Sequence, residues 1–240
     1  MKDDIYSEPL NNIEDFKFDE NVSKVFDDMV DRSVPGYRTL IANLGPIAAR
    51  FIQENTNCYD MGCSHGAAAL SVFHHLPVEN VTIHAIDNAD AMVEQCNEFI
   101  KQANAESIIH THNANIQDIN IVNASFVVLN LTLQFLPTEQ RVIVLQNIYD
   151  GLIKGGACVL TEKIVMPDDE TEALFQELHT NFKSANNYSD LEISQKRKSL
   201  ENVLIRETLD IHTIRLRSIG FTTVVPWFQC FNFISLLAIK

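Results

Sequence analysis

The feature that most narrows the possible folds is the segment Tyr59-Asp60-Met61-Gly62-Cys63-Ser64-His65-Gly66, followed after a second apolar run by Asp87. A short buried strand that ends in glycine lets backbone approach a ligand and lets the next helix pack closely on the sheet. Asp87 lies 25 residues beyond Gly62. At the tip of a second strand, a carboxylate can accept two ribose hydroxyls. The turn and the acid together read as a nucleoside site. A dinucleotide turn is excluded, because Ser64 stands where G-x-G-x-x-G needs its second glycine. No G-x-x-x-x-G-K-[ST] occurs either, so phosphate is not cradled in the P-loop manner.

The elements around this segment alternate. Residues 1–21 read as an arm with a weakly ordered start, and residues 22–55 as two amphipathic helices separated by Pro35-Gly36. Strands are expected at Cys58–Met61, Val81–Ile86, Ile108–His112, Phe126–Asn130 and Ala157–Glu162. Between them fall helices over Ala67–His74, Ala91–Ala103 and from a Thr138 cap to Gly151, with Gly155-Gly156 turning into the fifth strand. Such alternation implies an α/β fold with a mostly parallel sheet and helices on both faces. The region 166–205 departs from it, with helices over about 169–185 and 190–204. Ser189 and Glu192 have capping-box spacing at the start of the second. Residues 206–240 read as a helix ending at Gly220 and two closing strands, Phe221–Pro226 and Phe231–Ile239, paired antiparallel. The whole is one domain, with residues 56–165 as its nucleoside-binding core.

Charge excludes some functions. The chain has 18 Lys and Arg against 32 Asp and Glu, a net charge of −14. Gripping nucleic acid needs cationic surface, so this chain is not expected to hold RNA or DNA directly. Its five cysteines, Cys58, Cys63, Cys96, Cys158 and Cys230, form neither a disulfide framework nor a zinc pattern. The first residues are acidic rather than signal-like, and no apolar run is long enough to span a bilayer. A reducing cytoplasm is the expected setting, with no membrane association.

The spacing D-x-G-x-x-x-G of Asp60, Gly62 and Gly66 resembles motif I of the class I S-adenosylmethionine methyltransferases. That resemblance implies a Rossmann-like, seven-stranded sheet. The turn would contact the methionine moiety, Asp87 the ribose and Asn115-Ile116 the adenine, with Asn130 facing the cofactor from the end of strand four. Further segments are similar to the carboxy-S-adenosylmethionine synthases of the tRNA wobble-uridine modification pathway. They are RSVPGY (32–37), NASFVVLNLTLQFL, LIKGGACVLTEK, NNYSDLEISQKR (186–197), LEN (200–202) and WFQCFNF (227–233). RSVPGY, DLEISQKR and WFQCFNF are not generic to the superfamily.

This second resemblance implies that the chain carboxylates S-adenosylmethionine. The methyl would lose a proton to give a sulfonium ylide that traps carbon dioxide released from prephenate, with phenylpyruvate as coproduct. The product, carboxy-S-adenosylmethionine, would pass to a separate tRNA-carboxymethylating enzyme. The implied site residues are Tyr37, Gly62, Cys63, Ser64, Asp87, Asn88, Asn115, Ile116, Asn130 and Arg197, with no metal. Asn115 departs from the Asp common in the family, but its carbonyl oxygen still accepts from an amino group. Arg197, in the inserted helices, is expected to grip the new carboxylate through its planar fork, and Tyr37 to fold over the cofactor.

Arg32, Arg38 and Lys163 are candidates for binding the prephenate dianion. Cys63 reads as a packing residue, and His65 as an unneeded base. The apolar N-terminal and inserted helices suggest a symmetric homodimer. Two alternatives stay open: an ordinary small-molecule methyltransferase, and a non-catalytic cofactor-binding subunit.

Overall fold

The computed structural model describes residues 1–240. Two helices come first, α1 (Glu20–Ser33) and α2 (Tyr37–Ala48). Asp19 caps α1 by accepting from the Asn21 and Val22 amides. The alternating core then runs β1 (Asn57–Met61), α3 (Ala67–Phe73), β2 (Thr82–Asp87), α4 (Asp90–Gln102), β3 (Ile109–Asn113), β4 (Ala124–Asn130), α5 (Thr138–Gly151) and β5 (Leu152–Lys163). The chain continues through α6 (Asp169–Ala185), α7 (Asp190–Leu200), α8 (Leu209–Ile219), β6 (Thr223–Cys230) and β7 (Phe233–Ile239).

The seven strands form one sheet in the order β3-β2-β1-β4-β5-β7-β6. The first five run parallel to one another, and β7 runs antiparallel to both β5 and β6. Strands β1 and β4 are buried nearly throughout, as parallel strands covered on both faces must be. Two apolar layers flank the sheet. One packs Leu145 and Ile148 of α5 and Leu216 of α8 on it. The other packs Leu40 and Leu44 of α2, Ala69 and Val72 of α3, and Ile100 of α4. The reversal of strand order between β1 and β4 opens a crevice at their carboxyl ends, where ligands of open α/β sheets bind. No helix is long and apolar enough to cross a membrane.

Several boundaries differ from the expectations. Thr138 is the first residue of α5 rather than its cap, and Pro137 occupies the cap position without a side-chain bond. Strand β5 starts at Leu152, because Gly155 (φ +79°) lets the strand bulge instead of turning. Helix α7 stops at Leu200, short of 204, although its capping box forms as expected from Ser189 and Glu192. The closing strands are β6 at 223–230 and β7 at 233–239, each starting two residues later than expected.

The arm is pinned by polar anchors that apolar counting does not detect. Asp3 is 1% exposed. Its carboxylate accepts from the Tyr188 hydroxyl, and its backbone amide donates to Asp28. Gln195 donates to the carbonyls of Tyr6 and Glu8 at 3.0 and 2.9 Å.

Helices α2 and α3 approach closely at Gly45, where a Cβ would lie 2.2 Å from the Ser71 carbonyl oxygen. The Gly45 amide donates to the Ser71 hydroxyl at 3.1 Å. Gly45→Ala should therefore destabilise the chain by about 1–3 kcal/mol despite alanine's better helix propensity. A lowered urea midpoint at unchanged slope is the expected reading, and an unchanged midpoint would refute the tight contact.

Candidate active site

A cavity of about 390 Å³ opens at the carboxyl ends of β1, β2, β4 and β5 and is roofed by α1, α6, α7 and the arm. Its floor is the glycine turn. The amides of Gly62 and Cys63 both donate to the Ile86 carbonyl at 2.8 Å, which ties the turn to the end of β2. Gly62 has φ +83°, and a Cβ there would sit 2.3 Å from the Thr132 methyl carbon. Any side chain would thus push the turn away from the loop after β4. Ser64, also at positive φ (47°), aims its amide at Asp87 Oδ2, 2.9 Å away. Asp87 Oδ1 accepts from the Ala89 amide at 3.0 Å. Burial raises the Asp87 carboxyl above its ordinary range, while these amides pull it back.

Two polar atoms on this wall are buried and lack partners: Asp60 Oδ1 and Asn130 Oδ1. The other Asp60 oxygen accepts from the Ala69 amide at 2.9 Å. Burial pushes the Asp60 carboxyl up to about 7. Buried acceptors of this kind are costly unless a ligand supplies donors. The chemistry fits a nucleoside carrying an amino acid and a positive charge: carboxylates at one end, orphan acceptors beside the turn, and a glycine where bulk is excluded.

The expected site residues gather here, with exceptions. Tyr37, Gly62, Cys63, Ser64, Asp87, Asn88, Ile116 and Asn130 line the cavity. Tyr37 opens α2 just after Gly36, whose φ of +75° turns the chain, and burial raises its hydroxyl. Asn115 is exposed at the rim. It accepts from Asn88 and donates to Asp118, both at 3.0 Å.

Arg197 lies outside the cavity wall. Its exposed guanidinium donates to Thr180 Oγ1 at 3.2 Å, yet its charge reaches the cavity lysines Lys163 and Lys183. Cys63 is buried beside Cys96, and its thiol is raised well above the usual value by that contact and by burial. It packs under the turn.

Three other candidates have structural roles. The guanidinium of Arg32 is spent on the carbonyls of Asp3, Asn186 and Asn187 and on Asp28, and it stacks 3.8 Å over the Tyr188 ring. It fastens the arm and α1 to the turn before α7 and offers nothing to a substrate. Arg38 is exposed and paired with Asp31. His65 is buried off the cavity, between Asp27 Oδ1 and Ser23 Oγ, both at 3.1 Å.

What the sequence reading missed is at the opposite end from the carboxylates. Lys183 and His179 of α6 and Lys196 of α7 join Lys163 in the wall. The spacing 179/183 on one helix places both on one face. That signal was present in the sequence but unmarked by any motif. Phe16 and Phe18 of the arm also line the cavity, and Phe18 packs edge-on against Phe135 at 5.3 Å.

Comparison with known proteins agrees with this geometry. Residues 59–156 match the family model described as a methyltransferase domain. The chain is 50% identical over 239 residues to the carboxy-S-adenosyl-L-methionine synthase of Trichlorobacter lovleyi, covering 99% of this chain and 98% of the relative. It is 47% identical over 238 residues to the synthase of Shewanella halifaxensis, with the same coverages. Among solved structures it resembles an O-methyltransferase family protein from Burkholderia thailandensis. That likeness has a TM-score of 0.67 at 18% identity, over 93% of this chain and 60% of the other. Human N-acetylserotonin methyltransferase in complex with S-adenosylmethionine superposes with a TM-score of 0.61 at 15% identity, over 92% of this chain and 55% of the other. The structural likenesses establish the fold, a class I methyltransferase architecture, and the sequence likenesses establish more.

Proposed function

Since the chain belongs to the carboxy-S-adenosyl-L-methionine synthases, a family of transferase enzymes, we propose that it converts S-adenosyl-L-methionine and prephenate to carboxy-S-adenosyl-L-methionine and phenylpyruvate. The carrying observation is the full-length likeness to those synthases, at up to 50% identity among the relatives named above. The charge layout of the cavity supports it. An ordinary methyl transfer needs no cations near the reacting carbon, whereas carboxylation brings anions to it.

Prephenate releases carbon dioxide and hydroxide as its ring aromatises. The sulfonium methyl gives up one proton, and that proton and the hydroxide make water. The ylide carbon so formed bonds to carbon dioxide.

The chain's own residues bind and orient. Asp87 accepts the ribose hydroxyls, and Ile116 packs against the adenine while Asn115 and Asn88 stand at its edge. The turn of Gly62, Cys63 and Ser64 contacts the methionine part beside Asn130. Tyr37 covers the reacting carbon, and Arg197, which stands outside the cavity wall bonded to Thr180, leaves that contact to clamp the new carboxylate. A homodimer is part of this reading, as is delivery of the product to a separate tRNA-carboxymethylating enzyme in the cytoplasm. The net charge of −14 suits small substrates rather than tRNA itself.

The test is incubation of the purified chain with S-adenosylmethionine, with and without prephenate, read by mass spectrometry. The expected result is a gain of one carbon dioxide on the nucleoside only when prephenate is present, with phenylpyruvate formed. An unchanged nucleoside in folded protein would overturn the proposal. Arg197→Leu should lower carboxylated product while leaving S-adenosylmethionine binding near wild type. Equal loss of both would assign Arg197 to the fold instead.

A further inference from the structure

Lysine charges inside a protein normally sit opposite carboxylates, because an unpaired buried charge is costly. Lys196 obeys this rule, with Asp3 Oδ2 at 3.7 Å and the Ser33 hydroxyl at 3.3 Å. Lys163 and Lys183 do not. Both line the cavity, and neither forms an ion pair within the chain. The cavity's own carboxylates, Asp60 and Asp87, stand at the ends of β1 and β2, in the nucleoside half. Burial and then the Lys183 charge hold Lys163 down to about 7, and burial and then the Arg197 charge hold Lys183 down to about 8. A chain with a large excess of acidic residues thus keeps two lysines without a carboxylate partner in one pocket, and an arriving anion would favour their charged forms.

Lys163 is also aimed. His179 Nε2 lies 2.7 Å from the Ser33 carbonyl oxygen, which can only accept, so that nitrogen carries the hydrogen. His179 Nδ1 is therefore a bare acceptor, and the Lys163 ammonium donates a hydrogen bond to it at 3.1 Å. Burial first, and then the Lys163 charge, keep His179 neutral, at about 2. An ammonium has three donors, so two remain for a ligand. Lys163 further lies 5.5 Å from the Phe233 ring centroid. Phe233 also packs edge-on against His179, with ring centroids 5.1 Å apart, so this end carries an aromatic wall that suits a flat or cyclic carbon skeleton.

The geometry points to Lys163 and Lys183 as the subsite for the two carboxylates of a cyclic dianionic carboxyl donor, with His179 as the positioning residue that orients Lys163. This inference rests on the carboxylation reading and adds to it the residues that select the second substrate. It separates two duties: the donor's carboxylates meet the lysines, and Arg197 is left for the product.

The test uses the full chain loaded with S-adenosylhomocysteine, which has no methyl to react, and titrates prephenate calorimetrically. Lys163→Met and Lys183→Met should each weaken prephenate binding by about tenfold or more, the loss expected for one charge-assisted contact. S-adenosylhomocysteine affinity should stay within about twofold of wild type. Wild type should prefer prephenate over the monoanion phenylpyruvate, and both variants should lose that preference. Lys183→Arg, which keeps the charge, should restore most of the affinity; a purely structural role would not predict such selective rescue. Prephenate bound equally by wild type and both Met variants would overturn the inference while leaving carboxylation intact. So would parallel loss of both ligands. If wild type neither binds nor consumes prephenate, the carboxylation reading itself falls, and the subsite with it.

Discussion

Replacement of Asp87 by alanine is expected to weaken S-adenosylmethionine binding by about 100-fold or more. Hydrogen bonds to a charged group contribute about 1.5–3 kcal/mol each, and a carboxylate at the tip of a second strand can accept two ribose hydroxyls. The loss should exceed the sum of those contacts, because Asp87 also shapes the floor it stands on. Its Oδ2 holds the amide of Ser64, a residue at positive φ, and its Oδ1 holds the start of α4 through Ala89. Without the carboxylate, the turn loses the anchor that keeps Ser64 in an unfavourable conformation. Asp87→Asn separates the two effects. An amide oxygen still accepts from Ser64 or from one hydroxyl, so the turn should persist while affinity falls by an intermediate factor. Equilibrium titration against each purified variant reads this order, with thermal unfolding of the ligand-free chains as a control for the fold. Binding by Asp87→Ala within about threefold of wild type would remove Asp87 from the nucleoside site.

The same turn shows why the core was legible from sequence and the roof was not. Gly62 and Asp87 act through local backbone geometry and chain order, which a linear sequence displays directly. The strand-helix alternation from Asn57 to Lys163 follows for the same reason, since each element's apolar pattern is set by its own burial. Gly155-Gly156 misled because a glycine pair marks a turn and a bulge equally well, and only the pairing of β5 with β4 decides between them.

The arm is the clearest failure of local reading. Its anchors are Asp3 on Tyr188, Arg32 on the carbonyls of 186 and 187, and Gln195 on the carbonyls of Tyr6 and Glu8. These pair residues up to 189 positions apart and have no apolar signature. The lysines of α6 and α7 failed for a related reason. In sequence, Lys196-Arg197-Lys198 is a cationic run on an amphipathic helix. In the fold, Lys196 is 7% exposed and faces the cavity, Arg197 is bonded to Thr180 outside it, and Lys198 pairs with Glu201 in solvent. Three adjacent cations have three environments, and helix rotation against a partner that is distant in sequence sets each one. Arg32 was drawn toward the substrate by charge alone, when the nearest demand for its five donors was unpaired backbone.

A second large effect is expected far from the nucleoside. Arg141 is 0% exposed, the largest side chain so deeply buried. It donates to the carbonyls of Leu136 at 3.0 and 3.1 Å and Ile205 at 2.7 Å, and to Glu207 Oε2 at 2.6 Å. Glu207 keeps Arg215 as a second partner, so the ion pair is not the main loss. The carbonyls have no replacement donor, and Glu162 loses the charge that opposes its burial. Arg141→Met should cost about 3–5 kcal/mol, against a typical total of about 5–15 kcal/mol. For a chain of this size that is a fall in Tm of roughly 10 °C.

Glu162 adds a pH signature. Burial raises its carboxyl to about 8 from an ordinary 4.5, so the folded chain holds this proton where the unfolded chain has released it. Its contribution to stability is present below about 4.5 and is lost as pH rises toward 8. Removing Arg141 raises that carboxyl further, so the decline should continue above pH 8 in the variant and level off there in wild type. Thermal unfolding reads the fall in Tm, and urea unfolding at several pH values reads the pH dependence. A Tm within about 2 °C of wild type, with parallel pH profiles, would mean that Arg141 is replaceable by packing alone.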